Sequence, residues 1–484
     1  MTNFEAEWKR AETIINQSED VGSAKKILNE LCLRFPDEFK PYYNLALIDG
    51  GDGNYSSAIH YMECAVKIIP CYEAYRYLFY FYIQTKDFSK ALNMCKMALI
   101  YNPKDEKLRS FMQANNANMF LNEDICITEE GKSNESSMIE YKKVYDACEI
   151  IRELPNFIEE DFSVSQLEMF NIAVESYKKS YVKEGFVAEM KDAMALVKQS
   201  EQTYFISAEN KLLTDILDSG ASSLKLEDSP EIASPYDRVL VLSSAYGGNF
   251  YHWLTWTVPR LKMIKDAGYW FGNFDKIIIN FMGFKFQKDL VSLLNIPMTK
   301  VIGTLPEGIV FKAKKIVTAS LPEFLVTPRI VTDSLREFFL NEKMYDDGSP
   351  KRIYLSRKKS ASRFVLNEAE VLEFLKPLGF VEICAEDYSF SEQVKLFANA
   401  DVVISQHGAG LVNTSFCKEG AKVVEIYNEK MKNKIDTSYW KISSNVGLKH
   451  YFMFGDALSD GQFSANMNID IEKLRKLLVL AEIM

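Results

Sequence analysis

A chain of 484 residues exceeds what one ordinary hydrophobic core serves, so two or three domains are expected. With 47% hydrophobic and 26% charged residues it has the composition of a folded protein, and its formal net charge of −10 argues against nucleic acid as a partner. No apolar run approaches the roughly 20 residues of a transmembrane segment. The start MTNFEAEWKR lacks the regions of a signal peptide, and eight scattered cysteines form no C-x-x-C pair, so reduced thiols and a cytoplasmic location are expected.

The first part of the chain carries a repeat. Pro36, Pro70 and Pro103 recur at about 34 residues, and other positions keep the same phase. Small residues fall on Ala24, Ala58 and Ala91, a second small or apolar set on Leu31, Ala65 and Ala98, and a large set on Trp8, Tyr42 and Tyr75. Small residues let paired helices approach, while large ones fill the gap between pairs. This phasing resembles tetratricopeptide repeats, assigned to residues 1–110. Such a solenoid either binds a protein partner on its concave surface or packs as a helical spacer. Residues 111–205 are expected to form a helical linker region, because SQLEMFNIAVESYKKSYVKEGFVAEMKDAMALVKQ spaces its apolar residues as a helix does.

From about residue 235 the pattern changes to alternating strands and helices. DRVLVLSS and FDKIIINFM read as interior parallel strands and KFQKDLVSLLN as a helix, within a first α/β domain over 206–348. After DDGSP the cycle begins afresh over 349–484: KRIYLS, FVEICA, DVVISQ and KVVEIYN as strands, with helices NEAEVLEFLKPLG and SFSEQVKLFANA between them. Two successive Rossmann-like units with a cleft between them fit an α/β fold of the two-domain transferase type.

The second unit concentrates chemistry. His407, Gly408, Ala409 and Gly410 follow the strand DVVIS, at the end of a parallel sheet where ligands bind and small residues let backbone N–H groups approach an anion. The alternative is a tight turn whose glycines serve positive φ. Arg357 and Lys358 follow the strand KRIYLS, so they reach a diphosphate on that turn. Glu425 follows KVV and suits the acid that holds the two hydroxyls of a ribose. An Asp-x-Asp metal motif should follow a strand, but Asp346-Asp347 precedes one and Asp470-Ile471-Glu472 opens the final helix, so no metal is expected. Fixed cations would then stabilise the leaving diphosphate.

The ordered set YLSRKKSASRFVLNE, SFSEQVKLFANADVVISQHGAGLVN and VVEIYN, preceded by NFYHWLTWTVPRL, resembles glycosyltransferase family 61 over roughly residues 235–455. That family includes endoplasmic-reticulum N-acetylglucosaminyltransferases, plant xylan-decorating enzymes and bacterial surface-polysaccharide enzymes. The resemblance implies an inverting, metal-independent enzyme of the GT-B fold that uses a nucleotide sugar, UDP-linked foremost, and a glycan or protein acceptor. It places Arg357, Arg363, His407, Gly408, Ala409, Gly410, Asn413 and Glu425 around the donor. One departure is Trp256, which stands where the family commonly carries an acid four positions after the histidine of the H-W pair.

An inverting transfer needs a base for the acceptor hydroxyl. His252, in a loop after the first strand of the first unit, is the candidate, with an ordinary pKa near 6.5; the rival is an acid facing the cleft. The final helix is expected to brace the first unit. The competing functions are a tetratricopeptide adaptor with a degenerate transferase, and a protein modifier like the nucleocytoplasmic O-linked N-acetylglucosaminyltransferase.

Overall fold

The computed structural model describes residues 21–484 except 103–104, 115–118, 121–128, 132–136, 198–202, 210, 214, 217–230, 234–235, 305–308, 323–324, 346–347, 361, 429–434 and 458–465. Before residue 21 it describes positions 4, 7–9 and 12. Pro103 and the Asp346-Asp347 pair lie outside the described residues.

The amino-terminal region is helical: α1 (Val21–Arg34), α2 (Phe39–Gly51), α3 (Tyr55–Ile68), α4 (Tyr72–Gln84), α5 (Phe88–Tyr101) and α6 (Glu106–Ala114). The tightest pairs are α2 with α3 and α4 with α5. Ala58, Ala65, Ala91 and Ala98, on α3 and α5 of these pairs, are buried, as helices in close approach require, and Ala24 of α1 is buried as well.

Residues 111–205 depart from the helical linker expected there. They hold β1 (Ile139–Tyr145), a helix α7 (Val164–Lys178) and the long strand β2 (Gly185–Val197). GFVAEMKDAMALV is rich in helix formers, yet every residue of β2 except two is buried, and it pairs along nearly its whole length with a later strand. Tertiary pairing therefore outweighs local propensity. The segment around α7 instead lies on the second unit, where Phe170 packs with Tyr427 and Phe452. Backbone bonds join Asn156 to His450 and Phe452.

Two mixed sheets follow. The first, of eleven strands, also contains β3 (Tyr204–Ile206), β4 (Lys211–Leu213), β5 (Arg238–Val241), β6 (Lys276–Ile279), β7 (Val301–Gly303) and β8 (Ile309–Ala319), in the order β7-β6-β5-β8-β2-β3-β4. Strands β5 to β8 are parallel and β2 is antiparallel to β8, so the boundary expected at residue 206 cuts through one sheet.

Helices α8 (Val258–Asp266) and α9 (Lys285–Leu293) cross over on one face, packing on Leu240, Ile277 and Ile279. Alternate residues Val239, Val241, Ile278 and Ile302 face the other way, where Tyr75, Phe79 and Met97 of the amino-terminal helices complete the core. A parallel sheet needs both faces covered. Here the amino-terminal helices supply the second layer.

The second sheet comprises β9 (Arg352–Ser356), β10 (Val381–Cys384), β11 (Val402–Gln406), β12 (Lys422–Asn428), β13 (Lys449–Ala457) and β14 (Met467–Asn468). Its order is β10-β9-β11-β12-β13-β14, parallel except for β14. The helices of this half are α10 (Arg329–Phe339), α11 (Glu368–Leu375), α12 (Phe390–Asn399), α13 (Ser438–Val446) and α14 (Ile471–Leu480). The final helix corrects the expectation that it braces the first unit: Leu474, Leu477 and Leu478 of α14 bury against Tyr354, Val402, Ile404 and Val424 of the second sheet. Strand order reverses direction between β9 and β11, which opens a crevice at their carboxyl ends.

Candidate active site

Arg357 leaves the end of β9, and His407 to Gly410 leave the end of β11, so both stand at the crevice. Gly408 has φ 177° and neither glycine lies in the left-handed region, so the turn does not use them for positive φ. Space is the reason instead. A Cβ on Gly408 would fall 1.9 Å from Nη1 of Arg357, and one on Gly410 3.0 Å from Leu355. The chain beyond is a 3-10 helix, Ala409–Phe416.

Arg357 is half-buried, donates one long bond of 3.4 Å from Nη2 to the Ser362 carbonyl, and keeps a buried Nε with no hydrogen-bond partner. Among the described residues it makes no ion pair. Burial and the neighbouring Arg363 guanidinium push its pKa down to about 10. Arg363, held at φ 62°, donates from Nη1 to the His407 carbonyl at 3.0 Å. Two guanidiniums thus share the crevice, and a dianion between them would relieve their repulsion.

Other expected donor residues sit elsewhere. Lys358 is exposed and pairs with Glu382 of β10 at 2.5 Å, turned away from the crevice. Asn413 is fully buried and donates to Gln393 of α12 at 2.9 Å, which pins the turn to that helix. Glu425 is not placed as a ribose acid: it is 1% exposed, with Oε1 2.5 Å from Nδ1 of His407 and Oε2 3.1 Å from Nε2 of His450. Burial alone would raise its pKa, but the bonds from His407 and His450 win and hold it below the usual carboxylate range.

His407 packs edge-on to Tyr427 and beside Tyr439, with Nε2 directed at Oδ2 of Asp436, 3.7 Å away. Asp436, just before α13, was not singled out in the sequence, where Asp-Thr-Ser reads as an ordinary helix start. Its Oδ1 indeed accepts from the Ser438 N–H at 2.9 Å and from the Ser438 hydroxyl. Burial would raise its pKa, but His407 and these bonds keep it a carboxylate with a lowered value.

Across the crevice stands the loop after β5. Asn249 caps the turn Phe250–His252 by accepting from the Tyr251 N–H at 2.8 Å, and a π-helical turn, Trp253–Thr257, carries the chain into α8. Such turns recur at functional sites. Tyr251 meets Tyr439 of α13 with ring centroids 5.7 Å apart, closing the two units together. His252 lies between Tyr246 and Trp256 and feels the charge of Asp436. The ordinary pKa expected for it is corrected: burial pushes it down to about 4.

Residues 250–424 match the sequence profile of the Glycosyltransferase 61 family. The chain is 35% identical over 94 residues to the protein O-linked-mannose beta-1,4-N-acetylglucosaminyltransferase 2 of Xenopus laevis, covering 19% of this chain and 16% of that protein. The human protein of the same name is 36% identical over 93 residues, with the same shares covered. An EGF domain-specific O-linked N-acetylglucosamine transferase from Gallus gallus is 34% identical over 82 residues, 16% of this chain and 15% of that one. The match thus spans about a sixth of the length of these relatives.

The relatives also correct the cytoplasmic location expected above. Proteins of these two names act in the lumen of the secretory pathway. That no described helix is long and apolar enough to cross a membrane does not place the chain in the cytoplasm. Residues 250–424, which hold both arginines of the crevice, the His407 turn and the His252 loop, are thus the part of the chain that is similar to glycosyltransferase family 61.

Proposed function

We propose that the chain moves a sugar from a nucleoside diphosphate, UDP foremost, to a hydroxyl of a glycan or protein, with inversion and without an essential metal. The observation that carries this reading is Arg357, a half-buried guanidinium with no ion pair among the described residues and beside a second one, at the strand-order reversal of an acidic protein. In this reading the two units form a GT-B pair. Arg357 and Arg363 hold the diphosphate, Gly408, Ala409 and Gly410 let it approach the backbone, and His407 faces the donor. Glu425 and Asn413 serve by fixing the turn. The leaving diphosphate is then stabilised by fixed cations in a partly dry site.

The acceptor hydroxyl enters between His252 and Asp436. With a pKa near 4, His252 stays neutral at pH 7 and is a weak base, suited to hydrogen-bond the hydroxyl. Asp436 is charged and partly exposed, which makes its Oδ2 a second acceptor for the hydroxyl proton beside His252, although its lowered pKa makes it no stronger a base. As the hydroxyl oxygen bonds to the anomeric carbon, the bond to the diphosphate breaks and the proton passes to the base. The relatives' names make N-acetylglucosamine the first sugar to try. The amino-terminal helices, read as tetratricopeptide units, cover the first sheet and leave their other surface for a partner.

A nucleotide panel with thermal unfolding as the readout tests this, since a ligand that binds only the folded state raises Tm by mass action. UDP is expected to raise Tm equally with and without EDTA. If no nucleoside diphosphate raises Tm, the donor site is refuted; a shift abolished by EDTA refutes metal independence.

A further inference from the structure

Behind His407 runs a buried array that donor binding does not require. Ser443 of α13, His450 of β13, Glu425 of β12 and His407 are each 3% exposed or less. The Ser443 hydroxyl stands 2.9 Å from Nδ1 of His450. Nε2 of His450 stands 3.1 Å from Glu425, and Glu425 bonds Nδ1 of His407 in turn. In the register of β12 and β13, His450 is the partner of Val423, so it lies on the same face as Glu425.

A carboxylate in the middle of a sheet is costly unless both oxygens are bonded, and an apolar residue would fill the strand at lower cost. The array therefore does something a valine at position 425 could not. A hydroxyl donating to Nδ1 of His450 leaves the proton on Nε2, where it meets Glu425. Glu425, held from behind, then fixes a proton on Nδ1 of His407 and aims Nε2 at the crevice and at Asp436. Tyr427 and Tyr439 wall the ring on either side.

We propose that His450, backed by Ser443, is a positioning residue for His407, acting through Glu425 to set its ring orientation and tautomer. This rests on the reading of His407 as a donor-facing group. It touches no substrate itself.

The chain has four histidines, so imidazole nitrogen-15 spectra can be assigned residue by residue. In the unmodified protein, Nδ1 of His407 and Nε2 of His450 are expected to carry protons and Nδ1 of His450 none. His450→Phe should leave His407 exchanging between tautomers and weaken UDP about tenfold, the usual scale for losing a partner behind a working histidine. His450→Gln puts an N–H donor where the imidazole Nε2 was, and should restore both.

A wild-type His407 without a proton on Nδ1, or an unchanged His407 spectrum in folded His450→Phe protein, overturns the proposal. Should His450→Phe fail to fold, the wild-type spectrum and His450→Gln decide alone: a proton on Nδ1 of wild-type His450 overturns it. If the tautomers are as expected but UDP moves no His407 signal, the donor site is refuted and the positioning role stands.

Discussion

Arg260 and Arg357 stand at the carboxyl ends of the two sheets and are used in opposite ways. Arg260, 2% exposed, donates to the carbonyls of Ala319, Ser243 and Val241 and to the Thr318 hydroxyl, tying β5 to β8 at the reversal point of the first sheet. Arg357, at the reversal point of the second, has one long bond and a spare buried donor beside another guanidinium. Both are arginines near buried strand ends, and sequence alone does not separate them. Donor bookkeeping does: a cation whose N–H groups are consumed by carbonyls holds the fold, and one with donors left over holds a ligand.

Five substitutions break or sharpen that contrast. Arg260→Leu leaves three buried carbonyls short of a donor and should cost about 3–5 kcal/mol of stability in urea unfolding. A loss below about 1 kcal/mol would show that these carbonyls find water instead.

His252 tests the first unit differently. Its pKa is near 4 when folded and about 6.5 when unfolded. Between those values the unfolded chain binds more protons, so stability rises with pH across that window and is level above it. At about 1.4 kcal/mol per unit the loss at pH 4 approaches 3 kcal/mol. His252→Phe should flatten that slope, and an unaltered pH dependence of Tm would place the titration elsewhere.

Arg357→Leu should leave stability unchanged or slightly raised, because it removes a repulsion, while UDP binding weakens by about 1.5–3 kcal/mol. A fall in Tm without a change in UDP affinity would make Arg357 a second Arg260. The smallest effects belong to the turn. Gly408→Ala should reproduce part of the Arg357 loss by displacing that guanidinium, whereas Gly410→Ala, meeting only the end of Leu355, should change UDP binding by less than about 1 kcal/mol. Equal effects at the two glycines would mean that the turn moves as a whole.

What could be read from the residues was whatever local periodicity carries. VLVL, IIIN, DVVIS and KVVEIYN are apolar on both faces, and that alone requires interior parallel strands. Basic residues after one strand and a small-residue turn after another are likewise local, as are the phased alanines of the amino-terminal helices. The second sheet and its crevice were therefore legible.

Long-range pairing was not. GFVAEMKDAMALV carries the spacing of a helix and becomes a strand because β1, β3 and β8 offer it backbone partners and burial that no local pattern encodes. The same holds for Glu425, whose partner His450 comes from another strand, and for Asp436, which meets His407 and senses His252 only once the two units close. Residue types and strand ends followed from the order of the chain. Which charges are satisfied, and so which ones are left to bind, depended on contacts between distant segments, because burial and hydrogen-bond partners exist only in three dimensions.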